Sequence, residues 1–238
     1  MKFYNAWYCP FAQRVWMALV YKGIDFEYIE VDPYHPSDWW IKVSRGAGLV
    51  PVIVQGNSNG KGETTVVESN RILEYLEDLN PEDNPIFALD PLKCAEQKYW
   101  MDHIGTKITP SLYQFLKAVE PGAGRDESRD KMIEGLTAWV SAMDESGPYF
   151  SGASLSAVDI AMIPFAYRID VLLAKYRDFS LAQDGDNWQR YYRWYRQMLD
   201  HPAFGETAFE QPEYQQRLIE HYLPYSCGDG QTDVARVN

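Results

Sequence analysis

Basic residues are in short supply: 22 Lys and Arg stand against 34 Asp and Glu, a formal net charge of −12. A surface that tracks a phosphate backbone needs the opposite balance, so the composition argues against nucleic-acid binding and leaves small ligands open. Cysteine is scarcer still. Cys9, Cys94 and Cys227 are odd in number and widely spaced, which indicates neither a disulfide framework nor a zinc cluster, so any cysteine chemistry is that of a single thiol. No run approaches the ~18 consecutive apolar residues of a membrane span, and no basic segment leads into an apolar run as in a secretion signal. The expectation is a cytoplasmic protein without a membrane span. Internal repeats and long low-complexity segments are also missing.

What is present is ample core material: 46% of the 238 residues are hydrophobic, enough for one large domain or two smaller ones. The first eighty residues alternate short β-prone runs with helical patterns: Phe3-Tyr4, a helix over 10–22, a strand over 26–31 and a short helix near 37–43. Val50 to Val54, a Gly/Asn-rich turn at 56–62, Thr65 to Val67 and a helix over 69–79 then predict a hairpin and a closing helix. The predicted order is β-α-β-α-β-β-α, an α/β domain over 1–80. Breakers crowd into Asn80-Pro81-Glu82-Asp83-Asn84-Pro85 and Asp90-Pro91, which places a linker at 81–91. Beyond it, over 92–238, the β signal vanishes, and helices are predicted over 92–119, 127–145, 157–174, 186–200 and 213–222. Ser156-Ala-Val-Asp159 has the form of a capping box, with Leu155 and Ile160 placed as its hydrophobic staple. From Cys227 the chain reads as a Gly/Asp-rich tail.

Cys9 lies between the first strand and first helix, with Pro10 suited to the first helical position. A thiol there faces unpaired N–H groups and the positive end of the helix dipole, a setting that lowers a cysteine pKa from ~8.5 toward ~3.5–7.5. The bland alternative is a small buried hydrophobe. Ala12 stands where a Cys-x-x-Cys motif has its second thiol, so a partner thiol must come from outside the motif. Cys94 and Cys227 have no comparable setting and read as structural or incidental.

Two further elements suit a bound peptide. Pro51 cannot donate to a sheet ladder, so Val50-Pro51 belongs at a strand start or in a special turn, with a trans bond as the default. Glu68 and Ser69 precede a helix: Ser69 is a natural cap, neighbouring N–H groups can hold a carboxylate, and Glu68 can hold an ammonium, the two charges of an α-amino acid end. A plain helix cap is the competing reading.

Taken in order, Cys9-Pro-Phe-Ala-Gln-Arg14, Gly48-Leu-Val-Pro51 and Glu68-Ser69 resemble the glutathione transferase superfamily, specifically its cysteine classes, omega and lambda. The resemblance runs over essentially the whole chain, with omega the closer label. It implies a thioredoxin-like N-terminal domain, an all-α C-terminal domain, glutathione as co-substrate, no metal and a homodimer. It also implies a cis bond before Pro51, Cys9 as nucleophile, Phe11 lining the thiol site, Val50 and Pro51 at the cysteinyl backbone, and Glu68 with Ser69 at the γ-glutamyl end. The activities implied are thiol transfer, dehydroascorbate reduction and removal of glutathione adducts, with weak conjugation. Two departures stand out. Ser44-Arg45-Gly46-Ala47-Gly48 replaces the usual Asn-Pro-x-Gly, which predicts a more flexible loop. No lysine occurs in Tyr34-His35-Pro36-Ser37-Asp38, leaving Lys42 or Arg45 as substitutes for the glycyl carboxylate.

Aromatics make up 15% of the chain, and Tyr113, Tyr167 and Trp194 are the guesses for an apolar acceptor pocket, taken from helix position in the family. Three readings compete with the cysteine enzyme. Tyr4 or Tyr8 can activate glutathione in its place, the fold can serve as a non-catalytic ligand-binding protein with an aromatic pocket, or it can serve as an assembly subunit.

Overall fold

In the computed structural model, which describes residues 1–56, 62–208 and 211–229, the chain divides into two units, Met1–Phe87 and the residues from Ala88 onward. Residues 57–61 of the expected hairpin turn, and the tail beyond 229, lie outside the described residues.

The first unit holds β1 (Lys2–Asn5), α1 (Pro10–Lys22), β2 (Glu27–Glu30), α2 (Asp38–Val43), β3 (Val52–Gly56), β4 (Glu63–Val67) and α3 (Ser69–Leu79), with sheet order β2-β1-β3-β4. β1 and β2 are parallel, a pairing that needs a crossover, and α1 supplies it; β3 runs antiparallel to β1 and to β4. Val52, Ile53 and Val54 are consecutive and all buried, so β3 is covered on both faces. Tyr4 turns toward α2, its ring 5.2 Å from that of Trp40.

α1 starts at Pro10 and ends at Gly23, whose φ of 64° is the left-handed conformation a helix C-cap favours; its N–H and that of Ile24 return to the carbonyls of Val20 and Leu19. α3 buries Ile72, Leu73 and Leu76. The Lys22 ammonium, its side chain 0% exposed, meets Glu77 at 2.8 Å and donates to the carbonyls of Asp83 and Asn84. Glu77 in turn accepts from the backbone N–H groups of Ile86 and Phe87. Residues 83–87 of the breaker-rich stretch are thus bonded to the first unit.

The second unit contains α4 (Pro91–His103), α5 (Thr109–Lys117), α6 (Ala123–Ser141), α7 (Ala157–Arg168), α8 (Ala174–Arg177), α9 (Asp186–Leu199), α10 (Pro202–Thr207), α11 (Gln211–His221) and α12 (Leu223–Ser226). The single helix expected over 92–119 is interrupted by a π turn at Ile104–Ile108. Pro110 is the physical reason: it has no N–H for an i−4 bond, and its ring crowds the carbonyl one turn back, so the backbone widens before α5. A second π turn, Ile169–Leu173, divides the helix expected over 157–174; here Pro164 sits inside α7, and Arg168 donates to its carbonyl at 2.7 Å. The stretch left between the helices expected over 186–200 and 213–222 contains α10, because Pro202 is a first helical residue rather than a terminator.

Asp159 is 0% exposed and anchors the start of α7. One carboxylate oxygen accepts from the Ser156 N–H and hydroxyl at 2.8 and 2.6 Å; the other accepts from the Phe150 N–H and the Trp194 indole at 2.7 and 2.8 Å. The capping box is therefore reciprocal, as its spacing predicts, and also joins α9 to α7. Burial pushes this carboxyl upward, against the hydrogen bonds that favour its charged form.

Candidate active site

Cys9 occupies the N-cap of α1 in extended conformation, half-buried, with Pro10 at the first helical position. Its N–H closes a turn onto the Ala6 carbonyl at 2.8 Å, and its carbonyl accepts from Gln13 at 3.0 Å. The N–H groups of the first helical turn have no partner further back in the helix, so the thiol sits where an anion is favoured. Its Sγ lies 3.9 Å from the Val50 carbonyl oxygen, to which the S–H is directed. The Val50-Pro51 peptide is cis, and both residues are buried. A thiol, a helix N-terminus and the carbonyl of a residue just before β3 thus share one place.

The loop that delivers Val50 is firmly held, contrary to the flexibility expected from its glycines. The Ser44 hydroxyl, fully buried, donates to the Trp40 carbonyl at 2.7 Å and accepts from the Gly48 N–H at 2.8 Å, while the Trp40 indole donates to the Gly48 carbonyl at 2.8 Å. Gly48 has φ of 66°, and a Cβ there would approach Pro36 Cβ to 3.2 Å. Its hydrogen bonds and its packing leave the backbone one arrangement.

Glu68, not Ser69, is the N-cap of α3, with a left-handed φ of 69° and an exposed side chain. Ser69 is the first helical residue, buried, and its hydroxyl accepts from Arg14 Nη1 at 3.3 Å, as does Asn70 Oδ1. Arg14 is 2% exposed and also lies over the Phe11 ring, 5.1 Å from its centroid. Phe11 is half-buried beside Cys9 on α1. Of the expected glycyl-carboxylate substitutes, Lys42 and Arg45 are both exposed. His35 pairs with Asp32 at 2.9 Å, and that hydrogen bond holds the Asp32 carboxyl below its usual range.

The residues expected at an acceptor pocket are all buried. Trp194 is 0% exposed with its indole bonded to Asp159; Tyr113 is 5% exposed with its hydroxyl 3.1 Å from that of Tyr222; Tyr167, also 5% exposed, stacks on Tyr214. Burial pushes the Tyr167 hydroxyl up to about 12. All three are core of the helical unit, because aromatics at helical spacing are first a means of burying area. Tyr4 is buried as well, whereas Tyr8 is half-buried and stacked on Tyr34 at 5.4 Å. Among the described residues no group of three or more His, Cys, Asp or Glu side chains converges as a metal site.

Residues 8–79 match the family model for the glutathione S-transferase N-terminal domain, and residues 122–193 match that for its C-terminal domain. Mouse glutathione S-transferase omega-1 is 31% identical over 177 residues, 74% of this chain and 69% of that protein. The chain belongs to the glutathione transferase family. Another relative is the rice protein named probable glutathione S-transferase DHAR2, chloroplastic, 27% identical over 183 residues; the match covers 77% of this chain but spans only 60% of that relative's length. Among solved structures, glutathione transferase Omega 3C from Trametes versicolor superposes with a TM-score of 0.76 at 29% identity, covering 94% of this chain and 89% of that one.

Within this glutathione transferase frame, two holding side chains, Arg14 and Ser44, receive no role from the sequence stretches that contain them. Arg14 reads as an ordinary helical cation, yet the residues three and four away on either side, Pro10, Phe11, Met17 and Ala18, are all apolar. That spacing is the signal of an inward-facing position. Ser44 offers no such signal, because its partners are backbone groups brought near by the turn itself.

Proposed function

We propose that the protein is a glutathione-dependent thiol transferase of the cysteine type, with Cys9 as the nucleophile. The carrying observation is the 3.9 Å approach of Cys9 Sγ to the Val50 carbonyl at the N-terminus of α1. A γ-glutamyl peptide pairing with the Val50 backbone brings its own sulfur to the Cys9 thiol. Its α-amino acid end then reaches toward the exposed Glu68 carboxylate and the first turn of α3, which offer an acceptor for the ammonium and N–H donors for the carboxylate.

The chemistry is disulfide exchange. The Cys9 thiolate attacks the glutathione sulfur of a mixed disulfide; the Cys9–glutathione S–S bond forms, the old S–S bond breaks, and the acceptor leaves as a thiolate that takes a proton. The thiolate of a second glutathione attacks the glutathione sulfur of the adduct, releasing oxidised glutathione and restoring the Cys9 thiolate. Glutathione supplies both electrons. Dehydroascorbate reduction and removal of glutathione adducts draw on the same thiol and the same reductant. The omega-1 and DHAR2 names of the relatives support this reading over conjugation by a tyrosine.

Incubation with oxidised glutathione followed by intact-mass measurement tests it: one reducible glutathione adduct, mapped to Cys9, is expected. The Cys9→Ser variant should lose thiol transfer with hydroxyethyl disulfide while keeping or gaining conjugation of electrophiles. Unchanged thiol transfer in that variant removes Cys9 from the mechanism, and glutathione binding without any turnover turns the reading to a ligand-binding protein.

A further inference from the structure

The turn that carries Cys9, residues 6–8, leaves β1 and enters α1 without regular secondary structure of its own. Besides the Cys9 to Ala6 bond, it is held from the side. The Trp7 N–H donates to Glu30 Oε1 at 3.0 Å. Glu30 ends β2, the edge strand, directly opposite Asn5, the last residue of β1. Tyr28 stands two residues earlier on the same face of β2, donates its hydroxyl to Glu30 Oε2 and accepts from Asn5 Nδ2 at 2.8 Å. The Val31 N–H continues the register to the Asn5 carbonyl at 2.8 Å. A directed chain therefore runs from Asn5 through Tyr28 to Glu30, which receives the Trp7 N–H on its other oxygen.

We infer that Glu30 is a positioning residue for Cys9: its carboxylate, oriented by Tyr28, fixes the turn and with it the placement of Sγ against the α1 N-terminus and the Val50 carbonyl. The inference rests on the reading of Cys9 as nucleophile. A carboxylate suits the task because it accepts only, so both donors are taken up without a competing proton. Ionised acceptors also make the stronger hydrogen bonds. Helix-terminal stabilisation of an anion falls off within one turn, so a modest shift of the turn alters both thiolate fraction and attack geometry. Glu30 is exposed, so a merely structural contribution there is small.

The test measures the pH dependence of Cys9 alkylation by iodoacetamide, alongside thiol transfer, in Glu30→Ala and Glu30→Gln. Glu30→Ala is expected to move the alkylation midpoint up by about one pH unit and to lower kcat/KM about tenfold. Glu30→Gln, whose amide oxygen still accepts from Trp7, is expected to recover most of both. An unchanged midpoint and rate in Glu30→Ala overturns the inference, as does a Glu30→Gln variant no better than Glu30→Ala. If Glu30→Ala does not fold, Tyr28→Phe probes the same chain, with a smaller upward shift expected and an unchanged midpoint overturning the inference. Alkylation requires no glutathione, so an absence of thiol transfer in the unmodified protein removes the functional reading while Glu30's hold on Cys9 is still read directly.

Discussion

Arg14 Nη1 donates to Ser69 Oγ at 3.3 Å, across 55 residues of sequence. The helix that carries Cys9 at its N-cap thus also carries, a turn and a half in, the cation that holds the first residue of α3. In the proposed reading these are the two ends of the peptide site, set by one rigid element, so movement of α1 displaces both together.

Arg14→Met keeps much of the side-chain volume but leaves Ser69 Oγ and Asn70 Oδ1 without this donor. A loss of about 1–3 kcal/mol is expected in urea unfolding, the usual cost of stranding a buried polar group. The KM for glutathione should rise more than kcat falls, because the start of α3 is loosened while the thiol remains. Steady-state kinetics separate the two.

Ser44→Ala removes the acceptor of the Gly48 N–H and the donor to the Trp40 carbonyl. Stability should fall by about 1–3 kcal/mol, again with a higher KM for glutathione. Gly48→Ala should act on the same loop by a different route, through its positive φ and the Pro36 contact at 3.2 Å. Hydrogen exchange over residues 44–50 should report loosening in both.

Asp159→Ala leaves four buried donors without their acceptor. The expected loss exceeds about 3 kcal/mol, since each stranded group costs about 1–3 kcal/mol before relaxation. Thermal unfolding should show it without any change in the alkylation of Cys9, because the damage lies in the helical unit.

His221 gives stability a pH dependence of known sign. Burial, and then the Arg168 guanidinium, push its imidazole down to about 4 from 6.5. As pH falls the unfolded chain takes the proton first, so this contribution is intact above about 6.5 and is lost progressively toward pH 4, with no further loss below that. At about 1.4 kcal/mol per unit the loss amounts to at most about 3 kcal/mol. Urea midpoints between pH 7 and 4 should fall for the unmodified protein and fall less for His221→Gln.

Helix α1 was legible to the residue from the Pro10 start and the Gly23 stop, and α3 from its amphipathic spacing, because both signals are local. The capping box at Ser156 and Asp159 was legible for the same reason, although the Trp194 indole that completes it was not. Two prolines of the helical unit were not legible in their roles: Pro110 lies in the first turn of α5 after a π turn, and Pro202 opens a short helix, each outcome depending on whether neighbouring backbone groups find other partners. The burial of Tyr113, Tyr167 and Trp194 is not legible in the sequence, because an aromatic lining and an aromatic core have the same periodicity.

The sequence by itself determined the order of elements in the first unit, the passage from an α/β unit to a helical one, and a cysteine at a helix N-terminus, since each rests on residues within a turn or two of one another. Only the tertiary structure decided that this thiol lies against the Val50 carbonyl, 41 residues away, that Arg14 reaches Ser69 and that Glu30 holds the Cys9 turn. These are meetings across a sheet and between helices, made by packing and strand register, and no local period encodes which distant partner a side chain will find.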